Sequence, residues 1–308
     1  MTAKHRNGLL EVYRLIIGFW VLYCHDFFFF YNESGNFPVP NLAADFFFVM
    51  SGYFMLRSFQ KLNGDSVLGG VCKLIVSRIK PLLFSICFIA AFAFVCIALF
   101  VRENYIANAF FIFRYWWYVL YLLIASAIIY FVYRLIHNDK GFIIFLVLLE
   151  IFTTVVVYFI EEHGILIYEL TYALRAFGCL GCGMIVSYVP RWIPKKFNYS
   201  IPIAVVLAIS LVYLCYADKT FFTCIFILML FALLVYFTMN IQVGGKGFDI
   251  VGLLGLRMYL YISFVSTLYI LGLTNHRMLF VIDVTLATLD LLFTLYKQKY
   301  NQLKAKIT

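Results

Sequence analysis

Two side chains in the first apolar run have types and spacing that suit proton chemistry. Arg14 and His25 are eleven residues apart; at 100° per residue the interval falls only about 20° short of, or past, three whole turns, so both project from one helix face about 16 Å apart along the axis. A histidine is the side chain best matched to base chemistry near neutrality. Asp45, in the next apolar run, lies about as far from the end of its helix as His25 does from its own. The connection 31–40 therefore permits the two to sit side by side, with the carboxylate orienting the imidazole and holding its proton on the useful nitrogen. Asp26 is the alternative partner, but adjacent helical residues diverge by about 100° and it serves His25 only if the helix breaks there. The plain alternatives are that Arg14 snorkels to an interface or pairs with Glu11 one turn earlier, and that His25 is an interhelical hydrogen bonder.

Other ionisable residues also fall within apolar runs, where a charge is costly and its presence calls for a partner or a role. Arg175 and Glu150 lie in neighbouring runs and are placed to pair, as structure or as part of a substrate site. Asp283 and Asp290 share a face of the last run, which suits either a bundle-facing stripe or a proton path. Cys179 and Cys182 have the spacing of metal ligands but no second pair nearby, so no metal is expected. The phenylalanine runs 27–30 and 46–48 read most simply as lipid-facing and interfacial packing, with some of them available to line a channel.

The elements that must position these residues follow from composition. The 308-residue chain is 65% hydrophobic and 13% charged, with a mean hydropathy of +0.95, whereas a water-soluble domain carries about 25% charged residues. An all-α, polytopic integral membrane protein is expected, organised as one transmembrane domain over 1–308 with no separate soluble domain. Runs of about 20 apolar residues mark ten spans, near 9–31, 40–58, 81–101, 110–134, 141–160, 164–189, 201–217, 221–240, 253–273 and 278–296. The first is too long, and lacks the small-residue site, to read as a cleavable signal. No internal repeat is visible.

The excess of 24 Lys and Arg over 15 Asp and Glu is read as cytoplasmic loop charge, not as a nucleic-acid surface. With the N-terminus inside, 18 of the 24 basic residues fall on the cytoplasmic side, among them Arg57, Lys61, Lys73, Arg78, Lys80, Lys195 and Arg257. Arg102, Arg114, Lys219 and Arg277 fall outside. Both termini are then cytoplasmic. The eight cysteines sit mostly within apolar runs and read as buried thiols, not as a disulfide framework.

The segment Glu11-Val-Tyr-Arg14, then His25 after ten residues, then Ala44-Asp45-Phe-Phe-Phe-Val-Met-Ser51-Gly52-Tyr53-Phe54, resembles the signature of the acyltransferase family 3 membrane proteins. Arg78-Ile-Lys-Pro81 is similar to the basic stretch before that family's third span, Trp116-Trp117-Tyr118 to its tryptophan-bearing span, and Leu254-Gly255-Leu-Arg-Met-Tyr259-Leu-Tyr261 to its late glycine-tyrosine element. Paired arginines in the basic stretch are reduced here to Arg78, with Ile75 and Lys73 nearby, and the histidine common after the late tyrosine is Ser263. No hydrolase-like domain is expected after residue 296.

The resemblance implies transfer of an acyl group, most often acetyl from cytoplasmic acetyl-CoA, to a hydroxyl of a surface polysaccharide or lipid-linked glycan. The setting is a cell membrane crossed many times, expected to be the bacterial cytoplasmic membrane. On that reading His25 is the base or acyl carrier and Asp45 its partner. Arg14, Arg78 and Lys73 would hold the donor's phosphates, and Ser51, Tyr53, Trp117 and Arg175 are candidates for substrate contact. Ser51 is a weaker candidate nucleophile, since Ser51-Gly52 also suits close helix packing. Acyl-CoA, a glycan acceptor and the lipid bilayer are the expected partners, with no permanently bound cofactor and no nucleic acid. A glycan or glycolipid exporter or flippase is the alternative from another class.

Overall fold

A computed structural model describes residues 7–23, 40–80, 82–100, 117–136, 138–163, 168–189, 199–216, 221–239, 245–270 and 275–307. Among them every regular element is an α-helix: α1 Gly8–Tyr23, α2 Pro40–Lys61, α3 Val67–Ile79, α4 Leu83–Phe100, α5 Trp117–Ile136, α6 Asp139–Glu162, α7 Tyr168–Tyr188, α8 Ser200–Tyr216, α9 Phe221–Thr238, α10 Lys246–Ile270 and α11 His276–Ile307. Each of the ten apolar runs overlaps one of these helices. The additional one is α3, which falls where the sequence was read as a basic connection. Its start is set by Ser66, whose side chain accepts from the backbone N–H of Gly69 at 3.1 Å, a local capping signal that a search for apolar runs of 20 residues does not detect.

Stretches long and apolar enough to cross a membrane occupy Trp117–Ile136, Asp139–Ile160, Leu170–Tyr188 and Arg277–Lys297, with shorter apolar helical stretches at Ser200–Ser210, Ile225–Thr238 and Ile250–Ile262. Polarity is distributed as in a bilayer-embedded bundle. Helix α5 exposes Leu120, Ile124, Ile128, Phe131 and Leu135, and α6 exposes Ile144, Leu148, Ile151, Phe152, Val155 and Phe159, each set recurring at helical spacing on one face. Glu11, Asp45, Arg175, Arg257, Asp283 and Asp290 are buried instead, the arrangement that low-dielectric surroundings require of charged groups.

The helices group into two compact units, each drawn from separate parts of the chain. One contains α1, α4, α10 and α11. Helix α1 lies along α10 at close range because glycines face it: a Cβ on Gly255 would stand 2.8 Å from the Arg14 carbonyl oxygen, and one on Gly252 would overlap the Glu11 carboxylate. Gly8 meets Phe248 and Gly18 meets Gly255, so the two helices run parallel. Helix α4 is also parallel to α10. Ser85 and Arg257 both reach Asp290, and seven residues further along each helix Phe92 stacks on Phe264 at 4.0 Å. Helix α11 runs antiparallel to α10, since Arg257 donates to Thr294 while Tyr261 bonds Asp290.

The second unit contains α2, α3, α5, α6, α7, α8 and α9. At its centre α2 and α7 pack with their backbones close. A Cβ on Gly52 would overlap the carbonyl oxygen of Leu180, and one on Gly183 that of Val49. The matched order of Asp45 with Arg175 and of Gly52 with Leu180 makes this pair parallel. Helix α5 is parallel to α2 as well, with Phe48 on Tyr118 at 4.5 Å and Phe59 on Tyr130 at 5.0 Å. Helix α6 is antiparallel to α7, with Thr153 against Gly178 and Asp139 accepting from Tyr188.

Phe46, Phe47 and Phe48, expected at the lipid face, are buried. Phe46 packs edge-on against Phe231 of α9, and Phe47 and Phe48 pack on Tyr118 of α5. With α5, α7 and α9 surrounding it, α2 has no lipid-facing side for them to occupy. Arg257, counted with the cytoplasmic loop charge, is likewise interior, 3% exposed, because Asp290 and Thr294 on α11 supply its partners. Among the cysteines described, Cys96 and Cys179 are buried as expected, whereas Cys72 and Cys87 are exposed.

Candidate functional site

The described part of the sequence signature is divided between α1, which carries Glu11 and Arg14, and α2, which carries Asp45, Ser51, Gly52 and Tyr53. Asp45, in the second turn, meets Arg175 on α7: Nη2 donates to Oδ2 at 2.6 Å, and the two side chains are 7% and 8% exposed. The close glycine packing at Gly52 and Gly183 brings these two helices near enough for so short a pair. Arg175 therefore has a carboxylate partner, but on α2 and not, as the neighbouring runs suggested, on α6. Glu150 stands in the wall of the same small cavity, about 50 Å³ in volume, together with Thr153, Thr154, Tyr158, Arg175 and Cys179. Glu150 accepts from Thr154 through Oε1 at 3.4 Å, while its Oε2 is buried without a hydrogen-bond partner. The volume is of the order of a few water molecules. The pocket offers water a place next to a carboxyl group and an ion pair.

One to two turns further along α2, Ser51 is buried with its Oγ 3.4 Å from the Tyr118 hydroxyl, and Tyr53 is buried beside it. Trp117, at the start of α5, stacks on Tyr172 of α7 at 4.4 Å between ring centres, so it serves to seat α5 against α7 as well as to border the motif. Beyond Tyr53 the end of α2 opens on a larger cleft of about 330 Å³, lined by Tyr53, Arg57, Ser187, Tyr188 and Tyr236 among others. It lies at the C-terminal ends of α2, α7 and α9 and is at the lower limit of small-ligand pockets, about 300 Å³.

The remaining expected residues are dispersed. Arg14 directs Nη1 to both oxygens of Glu11, at 2.6 and 2.8 Å, the one-turn pairing weighed as its plain alternative. The Glu11 carboxylate is wedged against Gly252, so this pair also locks α1 to α10. Lys73 is exposed and pairs with Asp65 at 2.6 Å, and Arg78 is half-buried near the end of α3. His25, its alternative partner Asp26 and Trp116 lie outside the described residues.

Sequence reasoning missed a second buried polar cluster. Asp290 accepts from Ser85 of α4, lies 3.4 Å from Nε of Arg257 and is bonded by Tyr261, while Arg257 Nη2 donates to Thr294 at 2.9 Å. The Asp283–Asp290 spacing pointed to this face, but Ser85 and Arg257 carry no local mark of it. The cluster joins three helices, α4, α10 and α11.

Compared with known proteins, the chain matches no family model, no curated sequence and no solved structure.

Proposed function

We propose that the protein is a membrane O-acyltransferase that moves an acyl group, acetyl in the simplest case, from cytoplasmic acyl-CoA to a hydroxyl of a surface polysaccharide or lipid-linked glycan. The observation that carries this reading is the state of the α2 motif. Asp45, Ser51 and Tyr53 are all buried, Asp45 is held by a buried arginine, and the segment ends at a cleft containing Arg57 and three tyrosines. A charged group within an apolar bundle is costly and calls for a partner or a role; Asp45 has the partner, and it stands in the segment that carries the family resemblance. The cleft suits entry of the donor, with Arg57 available to its phosphates.

In this proposal His25 takes the proton from the acceptor hydroxyl, or accepts the acyl group itself, and Asp45 with Arg175 fixes the polar surroundings of the reaction. Ten spans with both termini cytoplasmic are part of the same reading. The helix directions support the alternation of crossings alone: α2, α5 and α7 run one way and α6 the other, and α1, α4 and α10 run one way and α11 the other; the side rests on the count of basic residues. That orientation puts the Arg57 cleft on the cytoplasmic side, where acyl-CoA is found.

Mass spectrometry of surface glycans from cells with and without the gene tests the proposal: an ester group present only with the gene supports it, and an unchanged ester content opposes it. The unpartnered Glu150 oxygen in a water-sized intramembrane chamber favours a second reading, a proton-coupled glycan exporter. That reading predicts loss of the surface glycan altogether instead of loss of its ester.

A further inference from the structure

Helix α3 has three distinct faces. At about 100° per residue, Leu68, Cys72 and Val76 form one stripe, Lys73 and Lys80 lie together about 120–140° from Leu68, and Gly70 and Leu74 lie about 200–240° round. The last face is the buried one. Its position is fixed by α5: a Cβ on Gly70 would overlap the Tyr130 hydroxyl, Tyr130 donates to the Leu62 carbonyl at 3.1 Å, and Arg134 donates to the carbonyls of Leu62 and Asp65 at 3.2 and 2.9 Å. Rotation about its own axis is thus closed to α3. The apolar stripe it is made to present is open, with Leu68 79% and Val76 58% exposed.

On the ten-span topology, the helix directions bear on where α3 lies. Helices α2 and α5 are parallel, so in a membrane an odd number of crossings separates them, and α4 supplies it. Helices α1 and α4, each parallel to α10, likewise require an odd number between them, and α2 supplies it. Both counts fail if α3 makes a full crossing of its own. Only residues 62–66 separate α3 from α2, a reach of at most about 18 Å, so α3 stays close to the membrane surface at which α2 ends. Across residues 65–80 three basic side chains, Lys73, Arg78 and Lys80, stand against the single acid Asp65.

We propose that α3 lies in the plane of the cytoplasmic membrane surface and binds anionic phospholipid, with Leu68, Cys72 and Val76 among the acyl chains, Lys80 reaching the phosphate headgroups and Lys73 exchanging its Asp65 partner for a headgroup phosphate. An apolar stripe edged with lysines is the arrangement that binds such a surface. The proposal rests on the ten-span topology and is independent of acyl transfer, so it survives failure of the glycan-ester test.

The test uses the full chain reconstituted in bilayers of phosphatidylcholine with phosphatidylglycerol, or of phosphatidylcholine alone. Nitroxide labels are placed at Cys72, at Leu68→Cys, Val76→Cys and Ser77→Cys in a background without other cysteines. Labels at 68, 72 and 76 should collide with oxygen several-fold more than with a water-soluble nickel chelate, and the label at Ser77 should show the reverse. Adding phosphatidylglycerol should raise the ratio at 68, 72 and 76, and the double change Lys73→Gln with Lys80→Gln should remove that increase. Nickel access at 68, 72 and 76 equal to that at 77, shielding of all three from both reagents, or no difference between the two lipids would overturn the proposal. A photo-crosslinking amino acid at Leu68 or Val76 in the otherwise native chain gives the second measurement: adducts to phosphatidylglycerol in preference to phosphatidylcholine are expected, and adducts to protein or no adducts contradict it.

Discussion

The Asp45–Arg175 pair is the most constrained interaction at the candidate site, and its behaviour on substitution separates position from chemistry. Removing one member of a buried pair leaves the other charged and without compensation, at a cost of about 3–5 kcal/mol, whereas removing both is much less damaging. Asp45→Asn and Arg175→Gln should each lower thermal stability of the detergent-solubilised protein, and the double variant should recover most of it while remaining inactive if Asp45 works in transfer. Recovery of full activity in the double variant would assign the pair to structure alone. His25→Ala should reduce acyl transfer by about 10²–10⁴-fold, the contribution of a general base, with insertion and stability unchanged. Spacing within one helix could be read from the sequence, and the Arg14–Glu11 pairing is legible there for that reason. The partner of Arg175 was not, because 130 residues separate it from Asp45 and the sequence offered Glu150, in the neighbouring apolar run, for the arginine.

Helices α2 and α7 are held together by absent side chains as much as by present ones. Gly52 and Gly183 each face the other helix's backbone, where a Cβ has no room, so Gly183→Leu should separate the helices, pull Arg175 away from Asp45 and lower stability by at least about 1–3 kcal/mol. Gly64→Ala, at a glycine with nothing within 4 Å of the added carbon, should be neutral in the same melting assay. Equal effects of the two substitutions would remove the packing account. The long apolar runs made ten helices visible in the sequence, since burial in lipid and burial in protein both demand continuous hydrophobicity. That same ambiguity hid which faces meet lipid: Phe46–Phe48 are as apolar as any lipid-facing stretch and are enclosed by α5 and α9. Helix α3 was missed because only 13 residues form it and three of its last seven positions are basic or hydroxylic, a composition shared with loops.

At the level of the whole molecule, topology and chemistry are linked through the side of the membrane on which the donor is found. In a cysteine-free background, single cysteines at Lys61 and Lys195 should resist an impermeant thiol reagent added outside. One at Glu162, in a connection with no Lys or Arg between residues 158 and 168, should react. The inverse pattern would turn Arg57 and its cleft away from cytoplasmic acyl-CoA. Charge counting is the whole basis of this proposed orientation, while the relative helix directions depend on pairings such as Ser85 with Asp290, 205 residues apart, which no local pattern encodes. The most direct measurement of the central claim is transfer itself: purified protein in sealed vesicles, radiolabelled acetyl-CoA supplied at the cytoplasmic face, and glycan acceptor recovered and counted. Label should appear in the glycan as an alkali-labile ester with the native chain and fall by about 10²–10⁴-fold with folded His25→Ala protein; equal incorporation by the two proteins, or none by the native chain while it moves the unmodified glycan across the membrane, would contradict the account.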